Sequence, residues 1–316
     1  MHAIVAFPWS RKKEVVNHPE QIAAGGIWSI VHAMRMLGDT VTTVNLYDEK
    51  DSFNDVQALM QYEDAQKNAL IDFVFVFDFG NSRVDWGAAR KRKETLIVYH
   101  AGDDPMRFDA NCDTIEKGNF DVVLTAQKNS IQKYAEKFPR LSSDLAWIPY
   151  WYDPLLHREI YGQEKMFDVI HCGKIYGLRE RILKKISEKY SVKHEFQFGH
   201  AYTSTLSKSR IGLHHAWCGE VGYRHFEIPA MGLPLVCDRL DESFGLSELL
   251  PEEYMYVYEG KNDDEKVQSC FEMIEKVLRI DRTIVKRNCE ELKKHVSTYS
   301  SVFSRVKEIY LKCGVV

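Results

Sequence analysis

Short apolar runs alternate with amphipathic stretches along the whole chain, and that alternation restricts the fold more than any other feature. Ile4–Phe7, Val41–Leu46, Ile71–Phe77, Thr95–Tyr99, Asp121–Thr125 and Leu145–Ile148 read as buried strands rich in Val, Ile and Phe. Helical patterns over Ile27–Leu37, Val56–Leu70, Arg83–Lys93 and Lys128–Phe138 separate them. This order predicts a parallel sheet with helices on both faces. Pro149 and Pro154 then enclose an aromatic patch, Tyr150, Trp151 and Tyr152, where neither strand nor helix continues. A hinge is expected there. Beyond it the alternation restarts, with strands over Phe167–Cys172, Val192–Phe198, Ile211–His215, Leu235–Asp238 and Tyr254–Tyr258. Helices are expected over Leu178–Lys189, Tyr202–Ser209, Phe226–Met231 and Asp264–Arg279, and from Arg282 to Lys312 with a break near Ser297–Ser301. The fold class this predicts is α/β: two tandem Rossmann-like, doubly wound domains facing a cleft, with C-terminal helices. Their limits are drawn at 1–152, 153–296 and 297–316. Ligands of such sheets bind outside the carboxyl ends of the strands, so the cleft is the expected site.

Composition removes several function classes. Hydrophobic residues make up 45% of 316, enough for two cores, so the chain is not a disordered one. The longest apolar run, 71–79, contains Asp72 and Asp78 and falls far short of the roughly 20 residues of a membrane span. The start, MHAIVAF, leads directly into Pro8, Trp9 and a basic cluster, unlike a secretory signal. Seven scattered cysteines, an odd number, read as reduced thiols and hence a cytoplasmic location. Net charge is 42 − 46 = −4, and no global field favours nucleic acid or anionic lipid. Two basic spots stand out, Arg11–Lys13 and Arg90–Lys93. Both read first as solvated surface.

The segment HHAWCGEVGYRHFEIPAMGLPLVCD, residues 214–238, concentrates the candidate chemistry. A strand ends at His214–His215, a loop carries Gly219 and Gly222, and a short helix carries Glu227. Glycines admit a phosphate close to the backbone, and helix N-terminal amides favour an anion. Arg224 adds a planar cationic fork for phosphate oxygens. Glu227 is suited to accept two hydrogen bonds from a vicinal diol such as a ribose. An ordinary surface Arg–Glu pair at i, i+3 explains the same residues equally well.

The run GYRHFEIPAMGLPLVCD resembles the signature of GT-B glycosyltransferases, in particular the group-1-like and CgeB-like families. Two upstream stretches, FDVVLTAQKNSIQKYAEKF…LAWIPYWYDPLLH and FDVIHCGKIYGLRERIL, are similar to their domain crossover and to the opening strand and glycine loop of their second domain. FGLSELLPEEYMYVYEG and a closing helix near Thr298–Tyr299 also fit, so residues 120–310 are covered well and 1–119 in outline. The resemblance implies a transferase moving a sugar from a nucleoside diphosphate donor, UDP-linked, with no metal or other cofactor. Glu227 would hold the ribose; Gly173, Lys174, Arg179, Gly222, Tyr223 and Arg224 would cradle the diphosphate; Gly26 of the Gly25–Gly26 pair would face the donor sugar. Fixed positive donors suit the charge developing on such a leaving group. The C-terminal helix, 297–316, would pack back on the first domain. Retaining relatives have seven residues between two functional glutamates, whereas Glu220 and Glu227 have six between them. The resemblance implies retention with Glu220 near the sugar, and the glycines place Glu220 in a loop.

In the first domain, His100 and Asp103 follow a strong strand, at the carboxyl edge of the sheet. A histidine there suits sugar hydroxyls, and an aspartate suits a general base if the reaction inverts; turn formation by Asp103 and Asp104 is the plainer reading. His214, His215, Cys218 and His225 match no zinc-ligand spacing. The acceptor is not specified: a polysaccharide or small glycoside is the broad expectation. The basic spots leave room for an anionic polymer such as DNA bearing hydroxylated bases. A nucleotide-sugar epimerase and a non-catalytic nucleotide-binding module are the readings from other classes.

Overall fold

A computed structural model describes residues 1–8, 26–46, 70–78, 80, 86, 93–195 and 199–315. The chain divides into two units, one within 1–23, 27–149 and 305–316 and the other within 24–26 and 150–304. The break between 149 and 150 falls at the start of the proline-bounded aromatic segment, and residues 297–304 stay with the second unit.

The first unit is a six-stranded parallel sheet in the order β2-β1-β3-β4-β5-β6. Its strands are β1 (His2–Phe7), β2 (Thr40–Asn45), β3 (Phe73–Asp78), β4 (Leu96–Ala101), β5 (Val122–Thr125) and β6 (Leu145–Trp147). Every residue of β1 and β3 is buried, as helices on both faces require. Helices α1 (Ile27–Met36), α2 (Phe108–Gly118) and α3 (Ser130–Lys137) cover the sheet. The expected helices over Val56–Leu70 and Arg83–Lys93 fall largely outside the described residues, as do Gly25 and most of both basic spots.

Helix α2 is not among the helices the apolar pattern predicts, and its buried face mixes polar with apolar residues. Asn111 and Thr114 point inward beside Cys112 and Ile115. Asn111 donates to Gly102 O at 3.0 Å and to Asp104 Oδ1 at 2.9 Å, and accepts from Tyr99 Oη at 2.7 Å.

The second unit is a five-stranded parallel sheet, β11-β10-β9-β7-β8. Its strands are β7 (Phe167–Cys172), β8 (Val192–Glu195), β9 (Ser209–His214), β10 (Leu235–Asp238) and β11 (Tyr256–Tyr258). Helices α4 (Leu178–Ser187), α5 (Gly199–Ser207), α6 (Arg224–Ala230), α7 (Leu246–Leu249), α8 (Asp263–Arg279) and α9 (Arg282–Tyr299) follow in chain order, and α10 (Val302–Cys313) closes the chain. The last expected strand is shorter than its apolar run because Glu252–Tyr254 form a 3-10 turn. Ile182 and Ile186 of α4 and Cys270 and Ile274 of α8 form one core with Val169, Ile211 and Val236 of the strands. The strand order reverses between β7 and β9, which neighbour each other while their connections leave to opposite sides. That switch point is where a doubly wound sheet opens a crevice at its carboxyl edge.

Within the first unit, Tyr310 of α10 meets Phe73 edge-on at 5.9 Å and donates to Asp39. The two sheets and closing helices are the expected fold class. No helix among the described residues is long and apolar enough to cross a membrane, and all seven cysteines are free thiols.

Candidate functional site

Strands β7 and β9 end side by side, and the loops leaving them carry most of the candidates. After Cys172, Gly173 adopts φ +143° and Gly177 φ +54°, conformations that L side chains rarely adopt. Between them the chain turns into α4, whose first turn carries Arg179. That side chain is 7% exposed and folds back over the strand ends. Its Nε donates to His215 O at 2.8 Å, and Nη1 donates to Lys174 O at 3.2 Å and Tyr176 Oη at 2.9 Å. Lys174 itself is exposed. Arg179 is therefore a charge held by three hydrogen bonds and Lys174 an exposed one.

After β9 the chain crosses Cys218 and Gly219, both at positive φ, before reaching Gly222. Asp238, at the end of β10, accepts from Ala216 N at 2.8 Å and ties this loop to the sheet. Gly222 N–H donates to His225 Nδ1 at 3.1 Å. Helix α6 then runs only seven residues with Pro229 inside it. In so short a helix the fixed positive charge is that of the Arg224 side chain. Glu220 lies before the helix, half-buried, as the glycines suggested.

Arg224 forms an ion pair with Glu227 one turn on, donates through Nε to Cys172 O at 3.3 Å, and lies 4.1 Å above the Tyr202 ring. The pair is not a surface one. Glu227 is 4% exposed and its other oxygen, Oε1, lies 3.4 Å from His157 Nε2. Burial disfavours the Arg224 charge, yet Glu227 beside it raises its pKa above the ordinary value. His157 Nδ1 accepts from Asp153 N at 3.1 Å, which leaves the ring proton on Nε2, facing Glu227. Burial also lowers the His157 pKa, so the ring is neutral. Each carboxylate oxygen of Glu227 retains lone-pair capacity for a further donor.

Tyr223 stacks on Tyr150 at 4.2 Å and meets Trp151 edge-on at 5.4 Å. Trp151 Nε1 in turn donates to Gly26 O at 3.1 Å. Gly26 sits at φ +56°, and no atom of the described residues lies within 4 Å of where a side chain would project. The aromatic patch, read in sequence only as a hinge, thus joins Gly26 to the loop before Arg224. The structure therefore gathers Gly173, Arg179, Gly222, Tyr223, Arg224, Glu227 and Gly26 around the ends of β7 and β9.

The first-unit candidates fare differently. His100 has no exposed surface; its Nε2 lies 3.1 Å from Ile148 O and its ring stacks on Phe77 at 5.1 Å. Burial pushes its pKa down to about 4. A neutral, enclosed ring has no face for a sugar, so His100 is a packing residue, correcting the expectation. Asp103 adopts φ +54° in a turn, and its carbonyl accepts from Arg107 N at 2.9 Å. Its neighbour Asp104 points into the core, held by Asn111, Thr125 Oγ1 and Tyr134 Oη. Sequence reasoning had no signal for this network, nor for Tyr202 and His157 as partners of the Arg224–Glu227 pair. Among the described residues no three His, Cys, Asp or Glu side chains gather as metal ligands.

A cavity of about 690 Å³ opens at the opposite, amino-terminal edge of the same sheet, beside Lys165, Arg210, Leu233 and Ile280.

No family profile matches the chain, and no curated protein matches it. Solved structures do match. Anabaena HepE in complex with UDP-glucose aligns over 99% of this chain and 100% of its own, with TM-score 0.66 and 12% identity. Sucrose-phosphate synthase from Thermosynechococcus elongatus aligns over 100% of both chains, with TM-score 0.65 and 11% identity. A glycosyltransferase from Rickettsia africae covers 99% of this chain and 98% of its own, at TM-score 0.65 and 12% identity. Over its full length, the chain has the GT-B fold of glycosyltransferases.

Proposed function

We propose that this chain transfers a sugar from a nucleoside diphosphate donor, UDP-linked, to an acceptor hydroxyl. The observation that carries the reading is the buried Arg224–Glu227 pair at the switch point of the second sheet, flanked by Gly173 and Gly222. A diphosphate entering there meets fixed cations, Arg179 and Arg224, with Lys174 free to close on it, and needs no divalent ion to offset its charge. Glu227 accepts the ribose hydroxyls through the lone pairs its protein partners leave. Glu220 faces the transferred sugar in a retaining reaction, and Gly26 lets that sugar approach the backbone. The solved neighbours include one complexed with UDP-glucose, which favours the same donor class here.

The test is calorimetric titration of UDP, GDP, CDP and NAD into the wild type and Glu227→Ala. Wild-type binding of UDP, weakened by about 1–3 kcal/mol in the variant, is the expected result. Titration of 2′-deoxy-UDP assigns the contact: it binds the wild type more weakly than UDP, and the two bind Glu227→Ala equally. If no nucleotide binds, or Glu227→Ala binds UDP as the wild type does, the reading fails.

A further inference from the structure

The cavity at the amino-terminal edge of the second sheet has apolar walls and a surplus of positive charge. Arg210 and Ile211 near the start of β9, and Leu233 and Pro234 leading into β10, supply the sheet side. Val277 and Leu278 at the end of α8, Ile280 in the link and Val285 in the first turns of α9 supply the helix side. Only Ile280 and Asp281 separate the two helices, so both line the same space. At about 690 Å³ it lies within the roughly 300–1,000 Å³ usual for small-molecule sites.

Five cationic side chains, Lys165, Arg210, Arg282, Lys286 and Lys293, line the cavity against two carboxylates, Glu159 and Glu290. Existing pairs offset part of that charge. Arg210 lies 3.0 Å from Asp168, and Lys293 lies 2.8 Å from Glu159. Lys286 and Glu290 are both exposed and 3.7 Å apart, a contact that contributes little. Glu159 also acts on Lys165, so one carboxylate serves two lysines. Lys165 itself donates to a neutral acceptor, Ser207 O, at 2.8 Å. Arg282 has no hydrogen-bonding or ionic partner among the described residues.

These two properties restrict the occupant. Aliphatic walls gain when hydrocarbon replaces water against them, and lose nothing to a head group that stays at the charged side chains. A neutral hydrocarbon would leave the cations as they are. A nucleotide would set its polar sugar against Leu233, Ile280 and Val285. Nor is a backbone cradle for phosphate open here. Gly232 is the one glycine among the described lining residues, and the Glu159 carboxyl already lies 3.1 Å from where its Cβ would project.

We propose that this cavity is a binding site for a free amphiphilic monoanion, a carboxylate on an acyl chain. The chain covers Leu233, Ile280 and Val285, and the carboxylate is drawn to Arg282 and Lys165. The site is at the opposite edge of the sheet from the Arg224–Glu227 pair and does not depend on the sugar-transfer reading.

The probe is octanoate below its micelle concentration, titrated calorimetrically into the wild type, with hexanoate, decanoate and octanol alongside. Affinity rises about two- to fourfold per methylene from hexanoate to decanoate. Octanol binds at least about fivefold more weakly than octanoate, and Arg282→Gln weakens octanoate about 3- to 10-fold. Raised salt narrows the difference between Arg282→Gln and the wild type. Val285→Trp fills the cavity from a half-buried position on α9 and removes octanoate binding. Should it misfold by near-UV circular dichroism, Leu278→Trp carries the same comparison. The proposal is overturned if octanoate does not bind, if octanol binds as tightly, or if the folded tryptophan variant binds octanoate as the wild type does. Protein that sediments with phosphatidylglycerol vesicles yet ignores octanoate also overturns it, since the occupant is then a bilayer and not a single molecule.

Discussion

Asp104 and Arg224 are both buried ionisable residues, yet their surroundings differ in kind. Three neutral donors, Asn111, Thr125 and Tyr134, hold Asp104, and burial raises its pKa despite them. Asp104→Ala strands all three partners in the core and is expected to cost about 3 kcal/mol, read from the urea midpoint. Arg224 is held by an opposite charge. Arg224→Met leaves Glu227 buried without its cation and is expected to cost about 3–5 kcal/mol. Adding Glu227→Gln to that variant restores stability, because the uncompensated charge is then gone. A double variant less stable than Arg224→Met overturns that account of the pair.

Helix α6 lies unusually close to the sheet, and Gly212 in β9 makes the approach possible. A Cβ there would lie 2.4 Å from Ile228 Cγ2, a clash that must shift the helix. Gly212→Ala is expected to cost about 1–3 kcal/mol. It also weakens nucleotide binding, because the displaced element carries Arg224 and Glu227. Ile228→Ala in the same chain relieves the clash, so binding by the double variant should exceed that of Gly212→Ala; equal or weaker binding would show that α6 does not move as a unit. Helix α8 depends on a local device: Asn262 accepts from Glu265 N at 2.9 Å. Asn262→Ala is expected to cost about 1 kcal/mol, measured by thermal or urea unfolding, and to leave nucleotide affinity unchanged.

Across the molecule, His100, His171 and His225 are buried and neutral, with pKa values pushed down to about 4, 3 and 4. Each is depressed below the value of an unfolded histidine. The unfolded chain therefore binds protons first as pH falls below about 6.5. Stability is complete above that pH, declines between about 6.5 and 4, and loses up to about 1.4 kcal/mol per pH unit for each ring. His100→Gln should flatten the dependence by one such increment, measured as urea midpoint against pH from 7.5 to 5. An unchanged slope would mean that this ring protonates in the folded protein.

The alternation of apolar runs determined the two parallel sheets and most element limits by itself, because a strand covered on both faces must be apolar throughout. β1, β3, β7 and β10 lie where that rule puts them. It missed α2, whose inward face mixes Asn111 and Thr114 with Cys112 and Ile115, because buried polar residues weaken the apolar period without abolishing it. The glycines and Arg224–Glu227 spacing pointed to one loop and helix without revealing burial; i, i+3 spacing is the same on a surface and in an interior. Only the tertiary structure decided that Tyr202 lies under the guanidinium, that His157 faces the carboxylate, and that His100, His171 and His214 are all enclosed. Those contacts join residues far apart in the chain, and their chemistry depends on which groups water can reach.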